Sequence, residues 1–119
     1  MYKRQTYGAA VHWALELANE LDVSIEVIDL RTLLPWDKDS VKASVEKTGR
    51  ALLLHEDCMT GGIGGEISSW ISEHCFEALD APVSRVASLD TPVPFAASLE
   101  SNFLPKERLR EKVDYLLSY

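Results

Sequence analysis

A chain of 119 residues, 46% of them hydrophobic, has room for one independent hydrophobic core, and this composition excludes a disordered tail. Its net charge of -7 disfavours nucleic acid and anionic membranes as partners and favours basic proteins. The amino terminus lacks a signal-peptide apolar region, and no apolar run approaches the ~18 residues of a transmembrane span. Cys58 and Cys75 have no spacing typical of a disulfide framework, so we interpret the protein as intracellular and cytoplasmic.

The first five residues, MYKRQ, do not fit the pattern that follows. Thr6–Gly8 is typical of the end of a strand whose apolar body should precede it, and that body is missing. MYKRQ resembles the translation of a sequencing-library transposon adapter. Our hypothesis is that residues 1–5 are a non-native leader, that the first strand is truncated, and that the domain spans residues 6–119. Genomic codons that continue upstream of Thr6 through these positions would contradict it.

Helical and strand patterns alternate along the rest of the chain. Apolar residues at spacings of three and four predict helices, and β-branched or purely apolar runs predict strands. The predicted order is a helix over 9–21, a strand over 24–30, a helix over 38–48, a strand over 51–54, a helix over 66–78, a strand over 83–87, an irregular segment over 88–105 and a helix over 106–118. This alternation predicts a three-layer α/β/α domain with a mainly parallel sheet. Three clear strands remain, and we expect about four or five once the missing first strand is restored.

A glycine loop joins the apolar strand at Ala51–Leu54 to the next helix. In an open α/β sheet such a loop lies at the carboxyl edge of the strands, where ligands and partners usually bind. The loop glycines allow positive φ and close approaches that other residues do not, and we expect Gly62 and Gly64 to hold conformations that alanine tolerates poorly where φ is positive. We assign structural roles in this loop to His55, Glu56, Gly61, Gly62, Gly64 and Gly65.

The loop does not match nucleotide- or metal-binding patterns. In the register of G-x-G-x-x-G the third glycine would fall at Ile67, and no Lys-Ser or Lys-Thr follows. Glu66 places at the helix start a carboxylate that would repel phosphate. His55, Asp57 and Cys58 lack a second ligand pair at metal-binding spacing. We predict no catalytic, cofactor-binding or metal-binding residue; a free-standing anion- or nucleotide-binding module stays open as an alternative.

Two features follow this helix. Arg85 lies in the middle of a predicted strand, where a guanidinium needs a carboxylate or carbonyl partner. The irregular segment over 88–105 carries apolar residues that include Phe95, Leu99 and Phe103. We expect them to anchor a packed, functional loop rather than a linker.

Six motifs stand in register along the chain. They are TYGAAV (6–11), EVIDLRTLLPWD (26–37), KTGR (47–50), HEDCMTGGIGGEI (55–67), LDAPVSRV (79–86) and DTPVPFA (90–96). Together they resemble the carboxyl-terminal, transketolase-C-like domain of the β subunit of thiamin-diphosphate-dependent 2-oxo acid dehydrogenases. Trp36 in LPWD and the pair His55-Glu56 resemble the branched-chain, 2-oxoisovalerate members, with a pyruvate or acetoin dehydrogenase as the alternative.

The resemblance implies a part of an enzyme whose catalytic site lies elsewhere. In this family thiamin diphosphate and Mg bind between an α-type domain and the amino-terminal half of the β subunit, which also carry the catalytic histidine and glutamate. The isolated fragment is therefore expected to be inactive and to bind no cofactor. The implied partners are the α-type domain or subunit, a second β subunit and the peripheral subunit-binding domain of the acyltransferase core, with a bacterial source favoured.

The resemblance also implies a partner-binding surface. Asp80 in LDAP matches an acidic family position that pairs with a basic residue of the peripheral subunit-binding domain. Tyr119 follows the apolar face of the last helix and would add its terminal carboxylate. Two carboxylates on one patch would attract a basic partner and make binding sensitive to salt. The alternative interpretation is that Asp80 only caps a turn before Pro82.

Overall fold

The computed structural model describes the backbone of residues 2–119 and the side chains from Thr6 onward. The strands are β1 (Tyr2–Thr6), β2 (Ile25–Asp29), β3 (Ala51–Cys58) and β4 (Ser84–Ser88). The helices are α1 (Ala9–Glu20), α2 (Lys38–Thr48), α3 (Ile63–His74), α4 (Ala97–Phe103) and α5 (Lys106–Leu117), with one 3-10 turn at Phe76–Ala78. Within this described chain, no helix is long and apolar enough to cross a lipid bilayer.

The four strands form one parallel sheet in the order β2-β1-β3-β4. Successive side chains of a strand point to opposite faces of the sheet, and in β3 those on both faces are apolar. Helices therefore cover both faces of the sheet. Leu52 and Leu54 of β3 join a core cluster with α1 and α5, whereas Ala51 and Leu53 join a second cluster with α2 and α3. The predicted three-layer α/β/α architecture with a mainly parallel sheet is confirmed.

The first strand differs from the sequence-based expectation. Tyr2–Thr6 occupies the place between β2 and β3, so the described chain has four strands, one more than the three that the sequence shows clearly. Strand pairing uses backbone groups that every non-proline residue carries, and a central place in a ladder therefore does not require an apolar sequence. Met1 and the side chains of residues 2–5 lie outside the described part, and the adapter origin of residues 1–5 stays a hypothesis.

Two element boundaries near the glycine loop also differ. β3 continues through His55, Glu56 and Asp57 to Cys58, with a shift in its register against β4 after Leu54. The polar residues do not end the strand, because its ladder is formed by backbone groups that polar residues also carry. α3 begins at Ile63 rather than at residue 66, so two of the four loop glycines lie in its first turn.

The segment predicted to be irregular contains α4. Phe103 at the end of this helix is buried, as expected for an anchor. Phe95 is 101% exposed and Leu99 is 59% exposed, so the expectation that these side chains pack into the domain is wrong. An apolar side chain favours burial, but the surface that buries it can belong to another molecule.

Candidate functional site

His55 lies near the carboxyl end of β3 with only 1% of its surface exposed. Its Nδ1 donates to the carbonyl oxygen of Asp57 at 3.0 Å, which leaves the lone pair of the neutral ring on Nε2. Nε2 is buried and has no hydrogen-bond partner among the described residues. The ring of Tyr7 stacks on the imidazole with a centroid distance of 6.3 Å and an interplanar angle of 15°. His55 is thus enclosed beneath the glycine loop.

Burial sets the charge state of this pair of rings. Desolvation lowers the pKa of His55 below its ordinary value of 6.5, and the positive charge of Arg85 acts in the same direction. The backbone hydrogen bond at Asp57 and the carboxylate of that residue oppose this pKa shift. Burial also raises the pKa of Tyr7, with smaller contributions from the carboxylates of Asp57 and Glu56. Both rings are therefore neutral at pH 7.

Two loop glycines pack directly against the imidazole. A Cβ atom on Gly62 would lie 2.6 Å from Cε1 of His55 and 2.5 Å from the carbonyl oxygen of Cys58. A Cβ atom on Gly64 would lie 2.8 Å from Cδ2 of His55 and closer still to Nε2. Real Cβ atoms essentially never approach other atoms below 3.0 Å. Any larger residue at either position would displace the ring or the backbone.

Of the two reasons expected for these glycines, positive φ and close approach, only close approach applies at Gly62 and Gly64. Of the four loop glycines only Gly61 has positive φ, at 80°. The prediction of positive φ at Gly62 and Gly64 is wrong, because α3 begins at Ile63, which makes Gly62 its N-cap with φ -72° and Gly64 a helical residue. At Gly65 an added Cβ would meet only the flexible end of Arg85, at 3.3 Å. Close packing, not backbone conformation, therefore constrains Gly62 and Gly64.

Two further contacts tie the loop to β4 and the segment after it. Arg85 donates from Nη1 to the carbonyl oxygen of Met59 at 3.3 Å, which confirms the expectation of a carbonyl or carboxylate partner. Asp90 accepts hydrogen bonds from the Thr60 hydroxyl at 2.6 Å and the Thr60 amide at 2.8 Å, and these bonds lower the pKa of Asp90. The sequence analysis missed the Thr60–Asp90 contact, for which the only local signal is an aspartate just before a Thr-Pro turn.

The opposite, amino edge of the sheet carries the residues predicted to bind a partner. Asp80 is exposed, and its amide donates to the carbonyl oxygen of Gly49 at 2.7 Å. Gly49 has a φ of 70°, and a Cβ atom there would collide with the Asp80 carboxylate. Arg50, the next residue, donates from Nε to the carbonyl oxygen of Leu116 at 3.2 Å. Asp80 and the carboxyl end of α5 therefore both contact the segment 49–50 that leads into β3.

Tyr119 is 55% exposed and packs back on the last turn of α5. Its hydroxyl lies 2.9 Å from that of Tyr115, and the two rings meet edge to face with a centroid distance of 5.4 Å. This hydrogen bond raises the pKa of Tyr119. Tyr119 thus lies against α5, at the same edge of the sheet as Asp80.

The carboxyl edge does not fit thiamin diphosphate with Mg. A diphosphate–Mg site needs oxygen ligands grouped around the ion. Across the described residues, no three His, Cys, Asp or Glu side chains are grouped so that they could hold a metal ion. Glu56 and Asp57 are exposed, and Glu66 lies in the first turn of α3, where these carboxylates would repel a diphosphate. We derive no cofactor chemistry from this edge.

The topology and the order of the motifs match a known family. The family model described as "Transketolase, C-terminal domain" matches residues 6–108. The chain belongs to the transketolase carboxyl-terminal domain family. Other members of this transketolase carboxyl-terminal domain family include β subunits of 2-oxo acid dehydrogenases. This confirms the resemblance drawn from the six motifs, including its branched-chain character.

Two curated relatives illustrate the match. The 2-oxoisovalerate dehydrogenase subunit beta 2 of Arabidopsis thaliana, a mitochondrial protein, is 47% identical over 106 residues, which are 88% of this chain and 29% of the relative. The pyruvate dehydrogenase E1 component subunit beta of Bacillus subtilis is 45% identical over 106 residues, which are 87% of this chain and 32% of the relative. The transketolase carboxyl-terminal domain described here thus spans about a third of the length of these relatives.

A solved structure supports the fold. A split-gene transketolase, described as an inactive β4 tetramer, superimposes with a TM-score of 0.80 and 24% sequence identity. The match covers 98% of this chain and 38% of the other. At this identity the likeness establishes the shared fold alone.

Proposed function

We infer that this domain is the carboxyl-terminal part of the β subunit of a thiamin-diphosphate-dependent 2-oxo acid dehydrogenase, with a branched-chain 2-oxo acid as the favoured substrate class. Its own role is subunit assembly and docking of the acyltransferase core, and it carries no catalytic residue. The branched-chain assignment is supported by Trp36 and the His55-Glu56 pair, and by 47% identity to a 2-oxoisovalerate dehydrogenase subunit. The partners are an α-type domain or subunit, a second β subunit and a basic peripheral subunit-binding domain, in the cytoplasm of a bacterium.

One observation carries the docking role. Asp80 and Tyr119 are 39 positions apart in the sequence, yet both lie at the amino edge of the sheet, linked through Gly49, Arg50 and Leu116. We propose that the exposed carboxylate of Asp80 and a terminal carboxylate at Tyr119 make this patch acidic. Such a patch attracts a basic domain and accelerates its association.

The isolated 119-residue chain should not decarboxylate branched-chain 2-oxo acids in the presence of thiamin diphosphate and Mg. The physical reason is that, among the residues the structure describes, no three His, Cys, Asp or Glu side chains are grouped so that they could hold Mg. Decarboxylation is measured by release of labelled carbon dioxide, with the complete dehydrogenase as the positive control. Turnover by the purified chain would overturn the assignment of its role.

The Asp80→Asn substitution in the complete β subunit, assembled with its α-type partner, should weaken binding of the cognate peripheral subunit-binding domain on the order of tenfold. Asparagine keeps the size of the side chain and the backbone hydrogen bond to Gly49 but removes the negative charge. Extension of the chain by four glycine residues beyond Tyr119 should weaken binding similarly, since it moves the terminal carboxylate away. Both affinities are measured by surface plasmon resonance at low salt.

The matched control is Asp39→Asn, which removes an exposed carboxylate from the first turn of α2 at the other edge of the sheet. This variant should bind the peripheral domain like the parent. Raised salt should reduce the difference between the parent and Asp80→Asn, because screening weakens exposed charge interactions. If Asp80→Asn and the extended chain both bind like the parent at low salt, the docking surface lies elsewhere.

A further inference from the structure

The outer edge of β4 is open over part of its length. Among the described residues β4 pairs with β3 alone. Backbone groups of successive strand residues point alternately to the two sides, and the Ser88 carbonyl points to the β3 side, where it accepts from the Met59 amide. Arg85 and Ala87 therefore direct their backbone groups outward. Arg108 donates to the Ala87 carbonyl oxygen at 2.7 Å and so closes only the carboxyl end of this edge.

A groove of about 360 Å³ runs between this edge and α5. Its volume lies within the range of binding sites for small molecules and side chains. Val86 and Ala87 line it from the strand, and Tyr115, which is 44% exposed, lines it from the helix. The groove thus offers apolar walls beside the outward-facing backbone groups of Arg85.

The groove is basic in a chain whose net charge is -7. Three cations line it, Arg85, Arg108 and Lys112, against the single carboxylate of Glu111. Arg108 is occupied by the carbonyl oxygens of Ala87, Asn102 and Phe103. The other two have weaker partners: Arg85 reaches the Met59 carbonyl at 3.3 Å, and the Lys112 ammonium lies 5.1 Å from the ring centre of Tyr115. The ion pairs formed within the described part of the chain use other cations.

We propose that β4 and α5 bind an extended acidic segment of a partner protein, which adds to the outer edge of β4 as a strand. The backbone groups of Arg85 supply the pairing, and Arg85 and Lys112 receive carboxylates of the added strand. Strand addition of this kind takes its affinity from main-chain hydrogen bonds and its specificity from alternate side chains. The groove takes a partner of opposite charge from the one proposed at Asp80, because its cations would repel a basic domain.

A second copy of the chain fits this surface poorly. A symmetric dimer formed edge to edge through β4 would bring the cations of both copies to one interface. Like charges placed opposite each other oppose association. An acidic strand neutralises the same cations. Charge complementarity therefore favours binding of an acidic strand over formation of this dimer.

The test uses the 119-residue chain and a fluorescein-labelled hexapeptide of alternating valine and glutamate, followed by fluorescence anisotropy. Saturable binding is expected. Replacement of glutamate by lysine in the peptide should weaken binding at least about tenfold, and so should N-methylation of the alternate amides that would pair with β4, since it removes donors without a change in charge. Equal binding of the N-methylated peptide would show a simple anion site and overturn strand addition. Absence of binding at about 1 mM peptide would overturn the proposal as a whole.

Two variants locate the site. Lys112→Glu reverses a charge of the groove and should weaken binding of the valine–glutamate peptide at least about tenfold. Lys42→Glu reverses an exposed charge on α2, on the other face of the sheet, and should leave the affinity unchanged. Far-ultraviolet circular dichroism and melting curves check that both variants are folded, and Lys112→Gln serves as a milder substitution. If Lys112→Glu and Lys112→Gln both bind the peptide like the parent, the peptide does not bind in this groove and the proposal is wrong.

Discussion

The substitution Gly64→Ala is expected to lower the free energy of unfolding by about 1–3 kcal/mol, the usual range for overpacking of a filled interior. The added methyl group would overlap the buried imidazole of His55, which is held from its other side by the Asp57 carbonyl and the ring of Tyr7. Gly62→Ala should be at least as destabilising, because its methyl group would also meet the backbone carbonyl of Cys58. Urea denaturation followed by circular dichroism measures both effects.

Gly65→Ala is the matched control, since it lies in the same turn of α3 and faces only the flexible end of Arg85. Alanine is favoured over glycine in a helix by up to about 1 kcal/mol, so this variant should be neutral or stabilised. A double-mutant cycle identifies the contact: in a His55→Ala background, Gly64→Ala should cost much less than in the parent. Equal costs in the two backgrounds would show that the ring is not what excludes a side chain at Gly64.

The stability of the domain should fall as the pH is lowered below 6.5. Burial lowers the pKa of His55 in the folded state, whereas the unfolded chain titrates near the ordinary value of 6.5. Above pH 6.5 both states are neutral at this residue and it makes no contribution to the pH dependence. As the pH falls from 6.5 to the lower folded-state pKa, only the unfolded state gains a proton, and the free energy of unfolding therefore decreases across this window. Below the folded-state pKa both states are protonated and this loss stops.

His55→Gln should abolish this component of the pH dependence, while His12→Gln, at an exposed position of α1, should retain it. Urea denaturation at several pH values between 4 and 8 gives the slopes; this range is about that over which an unperturbed and a lowered histidine titrate. An NMR titration of the His55 ring protons reports its folded-state pKa directly. A value at or above 6.5 would contradict the account. The lowered pKa of Asp90 acts in a different window, because its contribution is present above the ordinary value of 3.8 and is lost only as the pH falls through the folded-state pKa.

Much of the architecture was predictable from short-range patterns. Residues of the run Ala51–Leu54 alternate between two cores, which is what a strand covered by helices on both faces requires. The amphipathic spacing around Val41 and Val45, the cap at Asp37 and the terminating Gly49 predicted α2 closely. The six sequence motifs indicated the family to which the chain belongs. These features depend on residues close together in the chain, and a sequence displays them directly.

The tertiary structure decided the contacts between distant residues. It placed His55 under Gly62 and Gly64, and so replaced positive φ with close packing as the reason for both glycines. It also brought Asp80 to Gly49 and filled the central place in the sheet with Tyr2–Thr6, a segment whose sequence does not read as a strand. Periodicity along the chain reports which face of an element is apolar, because that depends on local geometry. Which ring a glycine touches, or which backbone completes a ladder, depends on how whole elements pack, and no local pattern encodes it.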